Sequence, residues 1–207
     1  MSDPHADITA AQATAEVRRR MLHEAEAVRR ASERLEPDVV AEALELLRTC
    51  TRLLICIGTG TSGLVAAKLA ATFTVSGTPA VFLNASNALH GGLGLIQTGD
   101  IAIVVSNSGR TAETLQVAQQ LNELDIPVIA LTGDTQAPLA HQADVVLDAS
   151  VTAEACPLEM VPTASAAVTL AMGDALAMSL AGRGGWSRGD LARVHPAGTL
   201  GAWARGQ

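Results

Sequence analysis

Hydroxyl side chains, a glycine and the start of a helix meet in one short turn of the sequence. Five apolar residues, I-A-I-V-V, precede the turn and predict a strand buried on both faces. The turn consists of Ser106, Asn107, Ser108 and Gly109, and Thr111 follows it. The first amides of the helix that begins there have no partners inside the helix and favour an anion. The turn is therefore a candidate phosphate-binding site, and an ordinary helix N-cap is the alternative interpretation.

A second loop, G-T-G-T-S-G, follows an earlier apolar run at residues 52–57. Its glycine spacing matches the dinucleotide-binding fingerprint, but that motif also needs an acid at the end of the next strand, where Asn84 stands instead. We therefore expect a loop that lets a sugar phosphate approach the backbone, rather than a Rossmann cofactor site. Close packing of a helix on a strand is a structural reason for the same glycines. The loop residues expected to face the ligand are Gly58, Gly60, Thr61 and Ser62.

The elements around these loops alternate between strands and helices. Strands are predicted at residues 52–57, 79–83, 101–105, 127–131 and 144–147. Helices are predicted at about 10–34 and 37–48, from the glycine loop to about 76, and at about 110–124, 138–141 and 163–181, and a short helix is predicted between Gly185 and His195. This order predicts an α/β fold with three αβα layers and a five-stranded parallel sheet of the flavodoxin-like kind. Both loops then lie at the carboxyl ends of the strands, where such sheets bind ligands.

Composition and charge exclude several function classes. The 207 residues are 48% hydrophobic but contain no tyrosine, so the core must consist mainly of Ala, Val, Leu and Ile. A net charge of -7, without a long basic block, argues against a nucleic-acid partner. The cysteines, Cys50, Cys56 and Cys156, fit no metal spacing and indicate a reducing, cytoplasmic compartment. We find neither a signal-type apolar core nor an apolar run long enough to cross a bilayer, and expect no metal site and no membrane partner.

Several short segments resemble the sugar isomerase (SIS) domain family. In order, they are G-T-G-T-S-G, H-G-G-L-G, S-N-S-G-R-T-A-E, E-A-C-P-L, P-T-A-S, M-G-D-A-L-A and H-P-A-G-T-L-G. They extend over about residues 53–201 and are most similar to the arabinose 5-phosphate isomerase branch, for which E-A-C-P-L and the last segment are the more specific. The resemblance implies the SIS fold in residues 51–207. Residues 1–50 would then form a helical extension that packs on the core or on a neighbouring subunit.

The resemblance also implies an activity, the interconversion of D-ribulose 5-phosphate and D-arabinose 5-phosphate. It assigns the phosphate to Ser106, Ser108 and Thr111. The family's active-site side chains correspond to Glu113, Glu154, His90 and His195. Members are typically homotetramers whose active sites combine residues from neighbouring chains, and they need no metal or organic cofactor. The partner expected for this chain is a small sugar phosphate.

Two positions depart from the family's pattern. Members usually have lysine where this chain has Thr61, and commonly glutamate where it has Arg110. An arginine gained in one loop compensates for the lysine lost from the other if Arg110 points into the site. Longer members append paired CBS modules, and the resemblance here is to the shorter members without them.

An isomerase of this kind moves a proton between C1 and C2 of the sugar through an enediol. It needs a base for the carbon-bound proton and an acid for the two oxygens, and carboxylate and imidazole suit these roles. We assign Glu154 as the base and His195 as the acid/base at the oxygens or in ring opening, with the reverse assignment as the alternative. Glu113 would orient substrate hydroxyls. The non-catalytic interpretations are solvated surface for Glu154 and His90, a capping-box acid for Glu113 and a helix end for His195.

Two other functions fit the same residues. The first is an isomerase of another sugar phosphate, such as 3-hexulose 6-phosphate, which the substitution at Thr61 favours. The second is a non-catalytic sugar-phosphate-binding module, as SIS domains are in some transcription regulators. Glu154 and His195 favour catalysis over the second alternative, and the two N-terminal helices are neither basic nor obviously helix-turn-helix.

Overall fold

Five parallel strands form the centre of the structure, a computed structural model that describes residues 8–206. They are β1 (Leu54–Gly58), β2 (Ala80–Asn84), β3 (Ile101–Ser106), β4 (Val128–Thr132) and β5 (Val145–Asp148). Their order in the sheet is β2-β1-β3-β4-β5. This is the flavodoxin-like order, and it confirms the predicted five-stranded α/β fold.

Helices cover both faces of the sheet and extend beyond it at the two ends of the chain. They are α1 (Ala10–Glu33), α2 (Pro37–Arg48), α3 (Gly60–Val75), α4 (Ala85–Ala88), α5 (Ala112–Glu123), α6 (Ala164–Arg183), α7 (Arg188–Val194) and α8 (Gly198–Ala204). The helix predicted at 138–141 is a 3-10 turn, Ala140–Gln142. The short α4 and α8 were not predicted, because each is only one or two turns long and carries little periodic pattern.

Strands β1, β3 and β4 are buried along their whole length, as their continuous apolar runs predict. Successive side chains point to opposite faces of the sheet. Leu54 and Cys56 join the apolar cluster under α3 and α6, whereas Ile55 and Ile57 join the cluster under α5. Burial raises the pKa of the Cys56 thiol to about 12, so this cysteine behaves as a small core residue.

Helix α6 has apolar side chains over most of its length. By length and composition alone it is the one helix within residues 8–206 that could cross a membrane, which corrects the expectation that the sequence holds no such run. In the structure it packs against α1 and α3, and Val168, Met172 and Leu176 are buried. Leu69 of α3 occupies the space beside Gly173, where a Cβ would collide with it. Close packing of two helices therefore accounts for the composition of α6.

Helix α1 packs on the core along only part of its length. Toward its carboxyl end, Ala27, Val28 and Ala31 pack with Ala149 and Val168. Toward its amino end, the apolar side chains have no such support: Val17, Met21 and Leu22 are 60%, 67% and 62% exposed. Residues 1–7 of the predicted N-terminal extension lie outside the described residues. The amino half of α1 thus presents an apolar stripe that no part of residues 8–206 covers.

Candidate active site

The carboxyl ends of β1 and β3 lie side by side, since Ile57 pairs with Val104. The glycine loop after β1 and the serine-rich turn after β3 therefore meet at one edge of the sheet. A small pocket lies between them and the start of α6. It is lined by Thr61, Ser62, Val65, Val105, Asn107, Pro162, Ser165, Ala166 and Thr169. Its volume of about 30 Å³ is too small to enclose a five-carbon sugar phosphate, so a ligand held here must extend beyond it.

The turn after β3 requires glycine at its last position. The amide of Gly109 donates to the carbonyl of Ser106 at 3.1 Å, and the Gly109 carbonyl accepts a hydrogen bond from the amide of Leu139 at 3.1 Å. Gly109 has a φ of 61°, in the left-handed region. A Cβ on it would lie 2.5 Å from the Cβ of Ala137. Both the conformation and the space therefore exclude a side chain here.

The first turn of α5 has no side-chain cap. Its N-cap residue is Thr111, whose side chain makes no capping hydrogen bond. Thr114, in the same turn, is 1% exposed, and its Oγ1 has no hydrogen-bond partner among residues 8–206. Uncapped amides and the helix dipole favour an anion at this position. The alternative interpretation, an N-cap in which Ser and Thr side chains satisfy the helix start, is therefore wrong for Thr111; the Ser108 hydroxyl accepts from the Arg110 amide, before the helix begins.

Glu113 occupies the second position of α5 and is exposed. A capping-box acid would stand at the third helical position, which Thr114 holds. The capping-box interpretation of Glu113 is therefore wrong. Its side chain is exposed, as is that of Ser108 in the turn that precedes the helix.

Arg110 is paired with an acid. Its Nη1 lies 2.7 Å from Oδ2 of Asp134, in the loop after β4, and donates to the Ser108 carbonyl at 3.0 Å. The hydrogen bond from Arg110 lowers the pKa of Asp134, so the carboxylate stays ionised and balances the arginine's charge. Arg110 is thus not the free cation that would replace the missing lysine of the glycine loop.

The glycines after β1 bring the start of α3 against the strand. A Cβ on Gly58 would lie 2.8 Å from the Ser62 carbonyl oxygen, and a Cβ on Gly63 would lie 3.1 Å from the Gly58 carbonyl oxygen. Gly60 has open space around it but a φ of 56°, so its conformation requires glycine. The N-cap residue Thr59 makes no side-chain hydrogen bond. The loop therefore serves helix packing and also leaves the first amides of α3 uncapped.

Glu154 lies between β5 and α6, and its carboxylate caps α6. Its Oε2 accepts hydrogen bonds from the Thr163 amide at 2.8 Å, the Thr163 hydroxyl at 3.0 Å and the Ser165 amide at 3.2 Å. Its Oε1 accepts one from the Ser165 hydroxyl. Burial alone would raise the pKa of Glu154, but these hydrogen bonds outweigh it and hold the pKa below its ordinary value. Glu154 is thus an ionised group beside the pocket that Ser165 lines, and the solvated-surface interpretation is wrong.

The two candidate histidines lie apart from the pocket in a single chain. His195 follows α7 and lies with Ala67 and Ala71 of α3 and Phe82 of β2, and its Nδ1 is buried without a hydrogen-bond partner among residues 8–206. It is not one of the residues that line the pocket beside Ser165. His90 is exposed in the turn after α4, beyond the carboxyl end of β2 and therefore at the same edge of the sheet as the two loops.

Three side chains at the site were not singled out from the sequence. Thr163 and Ser165 hold the carboxylate of Glu154, and Asp134 holds Arg110. Threonine and serine at the start of a predicted helix signal a cap, which could have identified the first two. Nothing in the local sequence joins Asp134 to Arg110. Within the described residues, no group of three or more His, Cys, Asp and Glu side chains is placed to hold a metal ion.

Comparison with known proteins places the chain among sugar isomerase domains. The SIS domain family model matches residues 46–179. The arabinose 5-phosphate isomerase KdsD of Pseudomonas aeruginosa is 43% identical over 164 residues, which are 79% of this chain and 50% of that protein. The arabinose 5-phosphate isomerase GutQ of Salmonella typhi is 40% identical over 185 residues, 89% of this chain and 57% of that protein. The chain thus spans about half the length of the curated relatives it matches.

Solved structures share the fold over nearly the whole chain. The E. coli CFT073 protein c3406, solved in complex with arabinose 5-phosphate, superimposes with a TM-score of 0.88 at 32% identity, covering 91% of this chain and 100% of that one. A sugar-phosphate isomerase candidate from Listeria monocytogenes has a TM-score of 0.88 at 29% identity, covering 92% and 100%. From the family model, these identities and the shared fold, we conclude that the chain belongs to the SIS domain family.

Proposed function

We propose that this protein is an aldose–ketose isomerase of phosphosugars, and that it interconverts D-arabinose 5-phosphate and D-ribulose 5-phosphate. The observation that carries the proposal is the pocket in which Thr61, Asn107 and Ser165 meet, with the carboxylate of Glu154 bonded to Ser165. The relatives KdsD and GutQ support the choice of substrate.

The phosphate binds at the uncapped start of α5, and the start of α3 lies beside it. Both helices offer amides with partial positive charge, and a phosphate dianion is the kind of group that such amides favour. Ser106, Ser108 and Thr111 add hydroxyl groups at the same turn. The Oγ of Ser108 already accepts a hydrogen bond from the Arg110 amide at 3.2 Å, so its own proton is directed outward and can be donated to the phosphate.

Glu154 takes the carbon-bound proton and returns it to the neighbouring carbon. Its Oε1 accepts a single hydrogen bond, so a lone pair remains for the proton that leaves C2 of the aldose. Because hydrogen bonds hold its pKa below the ordinary value, the group is ionised and ready to accept at neutral pH. Its protonated form is correspondingly a good donor to C1 of the enediol. His195 moves protons at the two oxygens, and Glu113 and His90 orient the sugar hydroxyls.

The active protein is a homotetramer with shared active sites, in the cytoplasm. His195 lies against α3 and β2 of its own chain, so the copy that serves a given pocket comes from another subunit. The pocket is too small to enclose the sugar, so part of the sugar must lie outside it. A histidine from another subunit can contact that part. The N-terminal extension, residues 1–50, supplies a docking surface through the exposed stripe of Val17, Met21 and Leu22.

Incubation with D-ribulose 5-phosphate in deuterated water tests the proposal. The proton that Glu154 removes from C1 of the ketose exchanges with solvent while the enediol is bound, so the arabinose 5-phosphate formed should carry deuterium at C2, which NMR detects. Absence of both product and exchange on pentose phosphates would exclude this reaction. The same assay with hexulose 6-phosphates tests the second candidate, an isomerase of another sugar phosphate. The observation that favours it is Thr61, an uncharged residue in the pocket where the family usually has lysine.

A further inference from the structure

Two side chains of α1 hold the backbone on both sides of Glu154. The Nη1 of Arg20 donates to the carbonyl of Ala155 at 2.5 Å, and the Nε2 of His23 lies 2.9 Å from the carbonyl oxygen of Ala153. A carbonyl oxygen only accepts, so the His23 Nε2 carries the proton of its hydrogen bond. Arg20 and His23 are three positions apart and therefore lie on one face of the helix. We call this pair of hydrogen bonds the α1 clamp.

The backbone of Ala155, the residue that follows Glu154, is fixed from two sides. Its carbonyl is held by Arg20, and its amide donates to the Thr163 hydroxyl at 2.8 Å. The Thr163 hydroxyl in turn donates to the Glu154 carboxylate at 3.0 Å. Ala155 is 4% exposed, so the amide and carbonyl lie where water competes little for them. Hydrogen bonds on either side of the Ala155 backbone therefore connect α1 to the carboxylate.

Other contacts keep α1 in place without the clamp. Arg34 donates to the Ser150 carbonyl at 2.7 Å and lies 3.5 Å from the carboxylate of Asp148. The apolar contacts of Val28 and Ala31 with the core lie on the same half of the helix. Loss of the clamp should consequently release the Glu154 loop without detaching the helix.

We infer that Arg20 and His23 are positioning residues, which act through Glu154 by fixing the peptides on either side of it. The effect on turnover rests on the proposed isomerase function, whereas the effect on the loop does not. The clamp also joins the loop to the half of α1 that carries the exposed apolar stripe, since Val17 and Met21 flank Arg20 on the helix.

The first measurement is independent of catalysis. Hydrogen exchange by NMR reports on the amides of Thr163 and Ser165, which donate to Glu154. Arg20→Ala and His23→Ala should each speed this exchange about tenfold, and the double variant more, while amides in β3 and β4 stay protected. Arg19→Ala is the matched control: Arg19 lies 3.6 Å from Glu16, as Arg20 lies 3.2 Å from it, but within residues 8–206 no hydrogen bond joins Arg19 to the loop. It should leave the exchange unchanged.

The second measurement is kinetic. In the wild-type background, Arg20→Ala should lower kcat about tenfold with KM within about twofold, since the substrate still binds but the base is displaced. Arg20→Lys and His23→Gln each keep a donor and should restore part of kcat. In a Glu154→Gln background, Arg20→Ala should have no further effect on kcat, because a residue that acts only through Glu154 has nothing left to position.

The possible results distinguish the α1 clamp from the proposed isomerase function. Unchanged exchange at Thr163 and Ser165 in the double variant overturns the clamp, whatever the kinetics are. Equal loss of kcat in the wild-type and Glu154→Gln backgrounds also overturns it, since Arg20 would then act by another route. Faster exchange in a protein that isomerises no pentose phosphate would support the clamp and refute the substrate assignment.

Discussion

Arg110 and Asp134 join the turn after β3 to the loop after β4, with 2.7 Å between the guanidinium Nη1 and the carboxylate Oδ2. The carboxylate of Asp134 balances the charge of Arg110, the one positive side chain of the serine-rich turn. The proposed phosphate site at this edge of the sheet therefore depends on amides and hydroxyls and not on a free cation.

Asp134→Asn should release Arg110 and strengthen phosphate binding. We expect KM for the sugar phosphate to fall about threefold to tenfold at low ionic strength, and the gain to shrink as salt screens the charge. Steady-state kinetics at two salt concentrations measure this. The double variant Asp134→Asn/Arg110→Met is the comparison and should change KM less than about twofold, because it replaces a neutral pair by two uncharged side chains. A large rise of KM in the double variant would mean that Arg110 contacts the phosphate in the native protein.

Thr61→Lys tests the substrate directly. Thr61 lines the pocket with Asn107 and Ser165, so a lysine introduced there places an ammonium group beside the substrate. If the native substrate is a pentulose 5-phosphate, this chain already binds it without lysine, and we expect turnover of D-ribulose 5-phosphate to change less than about threefold. Thr61→Met controls for side-chain length. A large gain in the lysine variant alone would show that the native substrate is another sugar phosphate.

Shared active sites predict complementation between inactive variants. Glu154→Gln and His195→Ala should each lower turnover by about a hundredfold if each handles a proton. After the two variants are unfolded together and refolded, some pockets combine the native Glu154 of one chain with the native His195 of another. A recovered fraction of activity is expected, measured against each variant refolded alone. No recovery would place both residues of a working site on one chain.

The lowered pKa of Glu154 makes stability depend on pH in a defined direction. The folded pKa lies below the ordinary value of 4.5, so the folded state binds fewer protons than the unfolded state. The stabilisation is fully present above about pH 4.5 and is lost as the pH falls through the lower folded pKa. Glu154→Gln should cost about 1–3 kcal/mol at neutral pH and flatten the pH dependence below 4.5, measured by urea unfolding.

Glu159→Gln is the matched control for that experiment. Glu159 lies in the same loop and is exposed, and no hydrogen bond of its side chain is found within the described residues. Its replacement should leave the free energy of unfolding and its pH dependence unchanged. Equal effects of the two variants would mean that the loss comes from the net charge of the loop and not from the cap on α6.

Comparison of Gly109→Ala with Gly91→Ala distinguishes the cost of backbone strain at positive φ from the cost of a steric clash of the added Cβ. Both glycines have positive φ, 61° and 105°, but only the Cβ at Gly109 would meet another atom closely, at 2.5 Å from the Ala137 Cβ. We expect Gly91→Ala to cost about 1 kcal/mol and Gly109→Ala about 2–4 kcal/mol in urea unfolding. Equal costs would show that the turn after β3 relaxes to accept the side chain.

Much of this fold is predictable because its signals are local. The apolar runs of β1, β3 and β4 are continuous, and short strand–helix connections leave few topologies for a parallel sheet. From this order alone, the glycine loop and the serine-rich turn are expected at one edge, and Thr61 and Asn107 do line one pocket. The boundaries of α5 were less predictable, since Arg110 is a good helix former but is held in the turn by Ser108 and Asp134.

The features of the candidate site that were not predictable depend on contacts between residues far apart in the chain. The capping of α6 by Glu154 spans an irregular, proline-bounded loop, and periodicity carries no information there. Nothing in the local sequence gives His23 a structural role, yet it bonds to Ala153, 130 residues away. The position of His195 against α3 is set by the packing of two short helices, for which neither composition nor spacing gives a signal.

The absence of tyrosine, with only two tryptophans in the chain, has a practical consequence. Trp186 packs over Gly77, and Trp203 is largely exposed on α8, so the two indoles bracket the segment that carries His195. Ultraviolet emission from the unlabelled protein arises almost wholly from this C-terminal segment. It is therefore a native optical probe of that tail with which the proposed subunit assembly and phosphosugar binding can be followed.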